Sequence, residues 1–164
     1  MNQYAEYTEL ITAQNFQPRS DRLKEGEAIN QILRGEISGV EAYQDAIKKF
    51  DAPDTIAQLQ TIANFHQEMV DHWTQEASRD QVEPSEGSGA WGFIVETFVK
   101  TAKLFGDGAT LKILKQGEEH GINEYESLLK NENVSEEIKD YVKRIVLPKM
   151  RGHLVTLDSA ASLH

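Results

Sequence analysis

Four ionisable residues stand where apolar ones belong. Glu36 falls between Leu33 and Val40, His66 between Ala63 and Met69, Glu118 between Leu114 and Ile122, and His153 between Met150 and Leu157. The neighbours recur in steps of three and four, the period of one helix face, so each polar residue is expected to point at the interior its neighbours build. A charge buried there needs a partner. Two carboxylates and two imidazoles are donors that a divalent cation accepts. One such ion (iron, zinc or manganese) would neutralise both glutamates and take a lone pair from each neutral imidazole. Two alternatives stay open. Protonated imidazoles can pair with the carboxylates beside buried water, or the polar positions can lie at solvent-exposed ends of the stripes.

Other chemistry finds less support. Glu68, Asp71 and His72, and likewise Glu119, His120 and Glu124, fall off the apolar stripes and read as solvated faces. Gly35, Gly39, Gly117 and Gly121 read as small contacts that let helices approach, not as phosphate-binding loops. No Walker, HExxH or nucleophile-elbow pattern occurs, which removes the usual grounds for a P-loop nucleotide enzyme or hydrolase. The absence of cysteine excludes disulfides and thiolate metal sites. A formal net charge of −10 repels phosphate backbones and anionic lipid, so neither nucleic acid nor membrane is an expected partner.

The elements that must hold these residues are helices. The chain has 164 residues, 39% of them hydrophobic, which is enough for one domain with a real core. A first helix is expected from Ser20 or Asp21 to about Phe50, with Ile29, Ile32, Leu33, Val40, Tyr43 and Ile47 inward. After a turn at 51–54, a second runs to about Ser78 on Ile56, Leu59, Ile62, Met69 and Trp73. So short a connection makes the two antiparallel neighbours. Residues 79–90 are polar and rich in Gly, Ser and Pro, the most loop-like stretch. A shorter amphipathic helix follows, with Trp91, Ile94, Val95, Phe98, Ala102 and Phe105 inward, and Gly106-Asp107-Gly108 breaks it. A third long helix spans about 109–130. Ser135 is the expected cap of a fourth, which carries Ile138, Tyr141, Val142, Ile145, Val146 and Leu157 and should kink or break at Pro148. Residues 1–20 stand outside this plan as an N-terminal extension, and 21–163 form the bundle. The extension lacks the basic start and apolar core of a signal peptide, so a cytoplasmic location is expected. Its Tyr4, Tyr7 and Phe16 suit docking on the bundle or on a second copy, and a homodimer through this segment or the bundle faces is the expected assembly.

One internal echo ties the helices to the polar residues. The run 35–43 and the run 117–125 share the pattern G-E-x-x-G-[VI]-x-x-Y. A two-fold relation between the first and second helical hairpins would produce it.

The chain also resembles a known group. GSGAWG at 87–92, AKLFGD at 102–107, KQGEEHG at 115–121 and LPKMRGHLVTLD at 147–158 resemble an uncharacterised bacterial four-helix-bundle family of unknown function, placed with ferritin-like and rubrerythrin-like proteins. The resemblance implies an all-α, ferritin-like four-helix bundle: two antiparallel hairpins with a long crossover containing a short helix. The wider superfamily implies a di-iron site with a Glu on the first helix, Glu-x-x-His on the second, a Glu on the third and Glu-x-x-His on the fourth. Glu36 and Glu118, each with a tyrosine seven residues on, match the first and third. The second helix has His66 where the Glu should be and Met69 where the His should be. The fourth has Met150 for the Glu and keeps His153. Two carboxylates balance one divalent ion, not two.

The function expected is therefore metal binding through Glu36, His66, Glu118 and His153, in stress or metal handling. The alternatives are a rubrerythrin-like di-iron oxidoreductase and a non-catalytic structural or partner-binding bundle whose site has decayed.

Overall fold

The computed structural model describes residues 19–88 and 91–162, the side chains of 91–105 excepted. Helix α1 spans Arg19–Ile47, α2 Pro53–Arg79 and α3 Trp91–Leu129. The chain then forms α4 (Glu136–Tyr141), a π-helical turn (Val142–Val146) and α5 (Leu147–Ala161), which follow one another without a break and make up the fourth long rod. Among the described residues there is no strand. Residues 1–18, most of the expected N-terminal extension, lie outside the described part, as do the side chains through which Trp91, Phe98 and Phe105 were expected to pack.

Two apolar clusters make the core. One joins Ile29 and Leu33 of α1, Met69 and Trp73 of α2, Ile122 and Leu128 of α3, and Val142, Val146 and Met150 of the fourth rod. The other joins Tyr43, Ala46 and Phe50, Leu59 and Ile62, Leu111 and Leu114, and Leu157 and Ala160. These memberships fix direction. The first and fourth rods pass from the first cluster to the second, while α2 and the body of α3 pass the other way. The chain must therefore return along the whole bundle between the end of α2 and the body of α3. The first part of that return lies on α1. Asn30 Nδ2 donates to the Glu83 carbonyl at 2.8 Å, Ser85 N donates to Asn30 Oδ1 at 2.9 Å, and Arg34 Nη1 donates to Ser85 Oγ at 3.1 Å. Gly26 permits this close approach, because a Cβ there would lie 2.5 Å from Val82 Cγ2.

The break expected near Gly106 takes the form of a single bend. Gly106 adopts φ 80°, ψ −178°, and helix continues on both sides. A positive φ is cheap for glycine and strained for other residues.

The fourth rod departs from the sequence expectation in three ways. Ile145 was expected inside and is 46% exposed. Its phase was read at 3.6 residues per turn, but the π-helical turn is wider and rotates it outward while Val142 and Val146 stay buried. Pro148 does not break the rod. It follows directly on the π turn, so the irregularity expected around it is a local widening of the helix and not an interruption of the rod. Ser135 occupies the N-cap position of α4, but its side chain makes no cap bond. Instead its Oγ and N donate to Glu25 Oε1 at 2.6 and 3.0 Å, tying the start of the fourth rod to α1.

Candidate metal centre

Between the two apolar clusters lies one polar layer. On each rod the polar residue falls between a member of the first cluster and a member of the second, so the layer crosses the bundle where all four meet. Glu36, His66, Glu118 and His153 are all buried. His66 is the hub. Its Nδ1 lies 2.6 Å from Glu36 Oε2, and its Nε2 lies 2.8 Å from Glu118 Oε1. His153 Nδ1 lies 3.1 Å from the other oxygen, Glu118 Oε2.

Tyrosines complete the layer. Tyr43 Oη donates to Glu118 Oε1 at 2.8 Å, and Tyr125 Oη donates to Glu36 Oε1 at 2.7 Å. Trp73 Nε1 in turn donates to Tyr125 Oη at 2.7 Å. The Tyr43 ring stacks on His66 with centroids 5.4 Å apart, and Phe65 meets His153 edge-on at 5.0 Å. Each ring nitrogen of His66 and each oxygen of both carboxylates has a partner. Burial holds both tyrosine hydroxyls in the neutral form, with pKa values well above 10.0.

The electrostatics follow from this wiring. Burial opposes a charge on His66, but the fields of Glu118 and Glu36 and the bonds they accept prevail, raising its pKa from 6.5 to about 10. Burial alone would raise Glu118. The charge on His66 and the bonds from His153 and His66 outweigh it and lower the pKa from 4.5 to about 2. Without an ion, a proton on His66 is what holds the layer together.

His66, Glu118 and His153 also satisfy the geometry of a metal site, since one ligand atom from each lies within 4.8 Å of the other two. Glu36 is outside this group. It binds the far nitrogen of His66, and the two nitrogens of an imidazole point away from each other, so His66 cannot turn one nitrogen to a point shared by both glutamates. The four residues selected from the sequence thus come together as three candidate ligands and one carboxylate behind them.

The residues set aside in the sequence lie elsewhere. Glu68, Asp71, Glu119 and His120 are exposed. His72 is half-buried and stacks on Tyr141 with centroids 4.2 Å apart, away from the layer. Sequence reasoning did not foresee the roles of Trp73 and of buried Glu25. Extending the α1 stripe one turn back from Ile29 reaches Glu25, a signal that was available. Nothing in the local pattern marked Trp73 as a hydrogen-bond donor to Tyr125.

Fold and layer together define an all-helical bundle protein with a buried carboxylate–imidazole centre. The chain belongs to the family described as Domain of unknown function (DUF2383), which matches residues 24–131. The matched stretch includes Glu36, His66 and Glu118 and stops before His153. No curated protein and no solved structure matches the chain. No helix among the described residues is long and apolar enough to cross a membrane.

Proposed function

We propose that this is a ferritin-like bundle protein that binds one divalent cation in its polar layer through His66, Glu118 and His153, with Glu36 orienting His66. The observation that carries the reading is the meeting of three buried donor atoms from three different rods within 4.8 Å of one another. Two imidazoles and one carboxylate are a donor set used by iron(II) and zinc, with coordination positions left over. Manganese is the third candidate. Histidine ligands commonly donate their other N–H to a carboxylate, which is the part given to Glu36. A bound ion would supply Lewis-acid or one-electron chemistry at its remaining position. The chain's own contribution is to fix the donors in the bundle interior.

The ferritin-like assignment is supported by the helix directions, with the first and fourth rods parallel and the return segment spanning the bundle. A dinuclear centre of the superfamily kind fits the donor set poorly. The layer holds two carboxylates, and Glu36 engages His66 on the side away from Glu118.

A second reading has its own observation. Contacts of 2.6 and 2.8 Å on the two nitrogens of His66 satisfy the layer with a proton in place of an ion. That favours a non-catalytic structural bundle. Metal content separates the readings, measured by mass spectrometry on protein purified from iron-, zinc- and manganese-supplemented cells. About one equivalent, lost in Glu118→Gln, is the result expected for the binuclear alternative's rival, the single-ion site. No metal under any supplement selects the structural reading, and two iron atoms select the dinuclear one.

A further inference from the structure

A cavity of about 340 Å³ lies between α1 and α3 and reaches the polar layer from the surface. Glu36, His66 and Glu118 line its buried end, Ile32, Leu114 and Met150 are among its apolar walls, and Gly35 and Gly117 stand exposed at its mouth. The four glycines of the internal repeat all line it, but they do two different things. A Cβ on Gly39 would sit 3.1 Å from the His66 ring, and one on Gly121 would sit 2.8 Å from Met150 Cε. Close packing accounts for those two. At Gly35 and Gly117 no atom of the described residues beyond the helix itself lies within 4 Å of where a Cβ would be. Glycine is a poor helix former, and no described neighbour requires it at either place. What the two positions share is the cavity mouth, at matching points of the repeat.

We infer that Gly35 and Gly117 hold open a small-molecule site whose ligand is compact, with an apolar body and a nitrogen or oxygen head that reaches Glu36, His66 and Glu118. The apolar walls match the body, and the volume falls at the small end of ligand pockets, about 300–1,000 Å³. The floor defines the head. Carboxylate oxygens accept hydrogen bonds, so the head carries an N–H or O–H. The head's lone pair would complete the coordination of the cation, and that half of the inference rests on the metal reading above.

The probe is 4-phenylimidazole, which joins an apolar ring to a head with both an N–H and a lone pair. Binding is followed on metal-free protein by amide chemical shifts, and on Co2+-treated protein by the visible spectrum. In wild type the shifts are expected to concentrate in residues 31–43 and 113–125. Gly35→Leu and Gly117→Leu should weaken probe binding by about tenfold or more while Co2+ stoichiometry is unchanged. Gly35→Ala and Gly117→Ala should melt no lower than wild type, because nothing there is displaced. Probe binding with the same glycine dependence in a protein that takes up no Co2+ would support the site and refute the metal reading. Shifts confined to other surfaces, Leu variants that bind like wild type, or no binding to wild type would overturn the inference. The shift map on wild type decides the matter even if a Leu variant fails to fold.

Discussion

Tyr43 donates its hydroxyl to Glu118, and Tyr125 donates to Glu36, so each copy of the internal repeat hydrogen-bonds the glutamate of the other. The arrangement follows from geometry. Seven residues separate Glu from Tyr in each copy, about two helical turns, which puts both on one face. Because α1 and α3 run in opposite directions, the tyrosine of one meets the glutamate of the other. The two bonds are not equivalent. Tyr125 also accepts from Trp73, whereas Glu118 Oε1 keeps His66 Nε2 as a second partner when Tyr43 is lost.

Tyr125→Phe is therefore expected to destabilise more than Tyr43→Phe. Tyr125→Phe leaves Glu36 Oε1 and Trp73 Nε1 both unpaired and buried, each costing about 1–3 kcal/mol. Tyr43→Phe removes one of two bonds to a single oxygen and should cost about 1 kcal/mol. Urea unfolding of the two variants checks the order. Equal losses would mean that the Trp73–Tyr125 bond contributes nothing.

The three-ligand geometry predicts unequal effects of the two glutamates on metal affinity. Glu118→Gln and His153→Gln each remove a donor and should abolish stoichiometric binding. Glu36→Gln removes only the group that orients His66, so affinity should fall by about 10–100-fold with one site retained. Competition titration with a chromophoric zinc chelator measures all three. Stoichiometric binding abolished by Glu36→Gln would make Glu36 a ligand itself and restore the four-ligand site expected from the sequence.

The metal-free protein should lose stability as the medium turns alkaline. The pKa of His66 is about 10 when folded, against 6.5 for the free side chain. Its raised pKa therefore contributes stability that is fully present below 6.5 and disappears as pH rises through 10. Glu118, lowered from 4.5 to about 2, contributes stability present above 4.5 and lost as pH falls through 2. The acid side is crowded. Asp80, raised to about 6 by burial and by Glu25 and Glu76, titrates there, as does His72, whose pKa burial lowers. On the alkaline side His66 stands alone only below the range in which tyrosines ionise, because Tyr43, Tyr125 and Tyr141 are all raised from 10.0 and add their own loss as pH nears that value. Chemical denaturation of chelator-treated protein between pH 6.5 and 10 should show a steady decline that His66→Gln lacks. A flat profile for wild type would mean that His66 is neutral between its two carboxylates.

How far the sequence could be read depended on what carries the information. Periodicity carries phase, so Glu36, His66, Glu118 and His153 were visible as interruptions of apolar stripes, and the repeat tied Glu36 and Glu118 together. Phase does not carry ring orientation. Whether His66 aims one nitrogen or two at carboxylates depends on side chains from α1 and α3 that meet only in the folded bundle. The same limit hid the engagement of Ser135 with Glu25, a contact across 110 positions that displaced an expected local cap. Ile145 was misplaced for a different reason. A π-helical turn changes the period over five residues, and nothing in Val142–Val146 announces it.

The glycines of the repeat give the last prediction, an order of stability among four alanine variants. In a helix interior Gly→Ala gains about 1 kcal/mol when nothing is displaced, and at Gly35 and Gly117 no described residue is. Both variants should be more stable than wild type by roughly that amount. At Gly121 the new methyl would meet Met150 Cε at 2.8 Å, the free end of a flexible side chain. Met150 can rotate aside, so the helix gain and the repacking loss should nearly cancel. Gly39 is different. Its new Cβ would press on the His66 ring at 3.1 Å, and that ring is held at both nitrogens by Glu36 and Glu118. A ring fixed at both ends cannot retreat without lengthening one of its bonds, so overpacking should win, at a net loss of about 1–3 kcal/mol. Thermal melts of the four variants test the order: Gly35 and Gly117 above wild type, Gly121 near it, Gly39 below. A Gly39→Ala protein as stable as wild type would show that the His66 ring can move, and with it the hub of the polar layer.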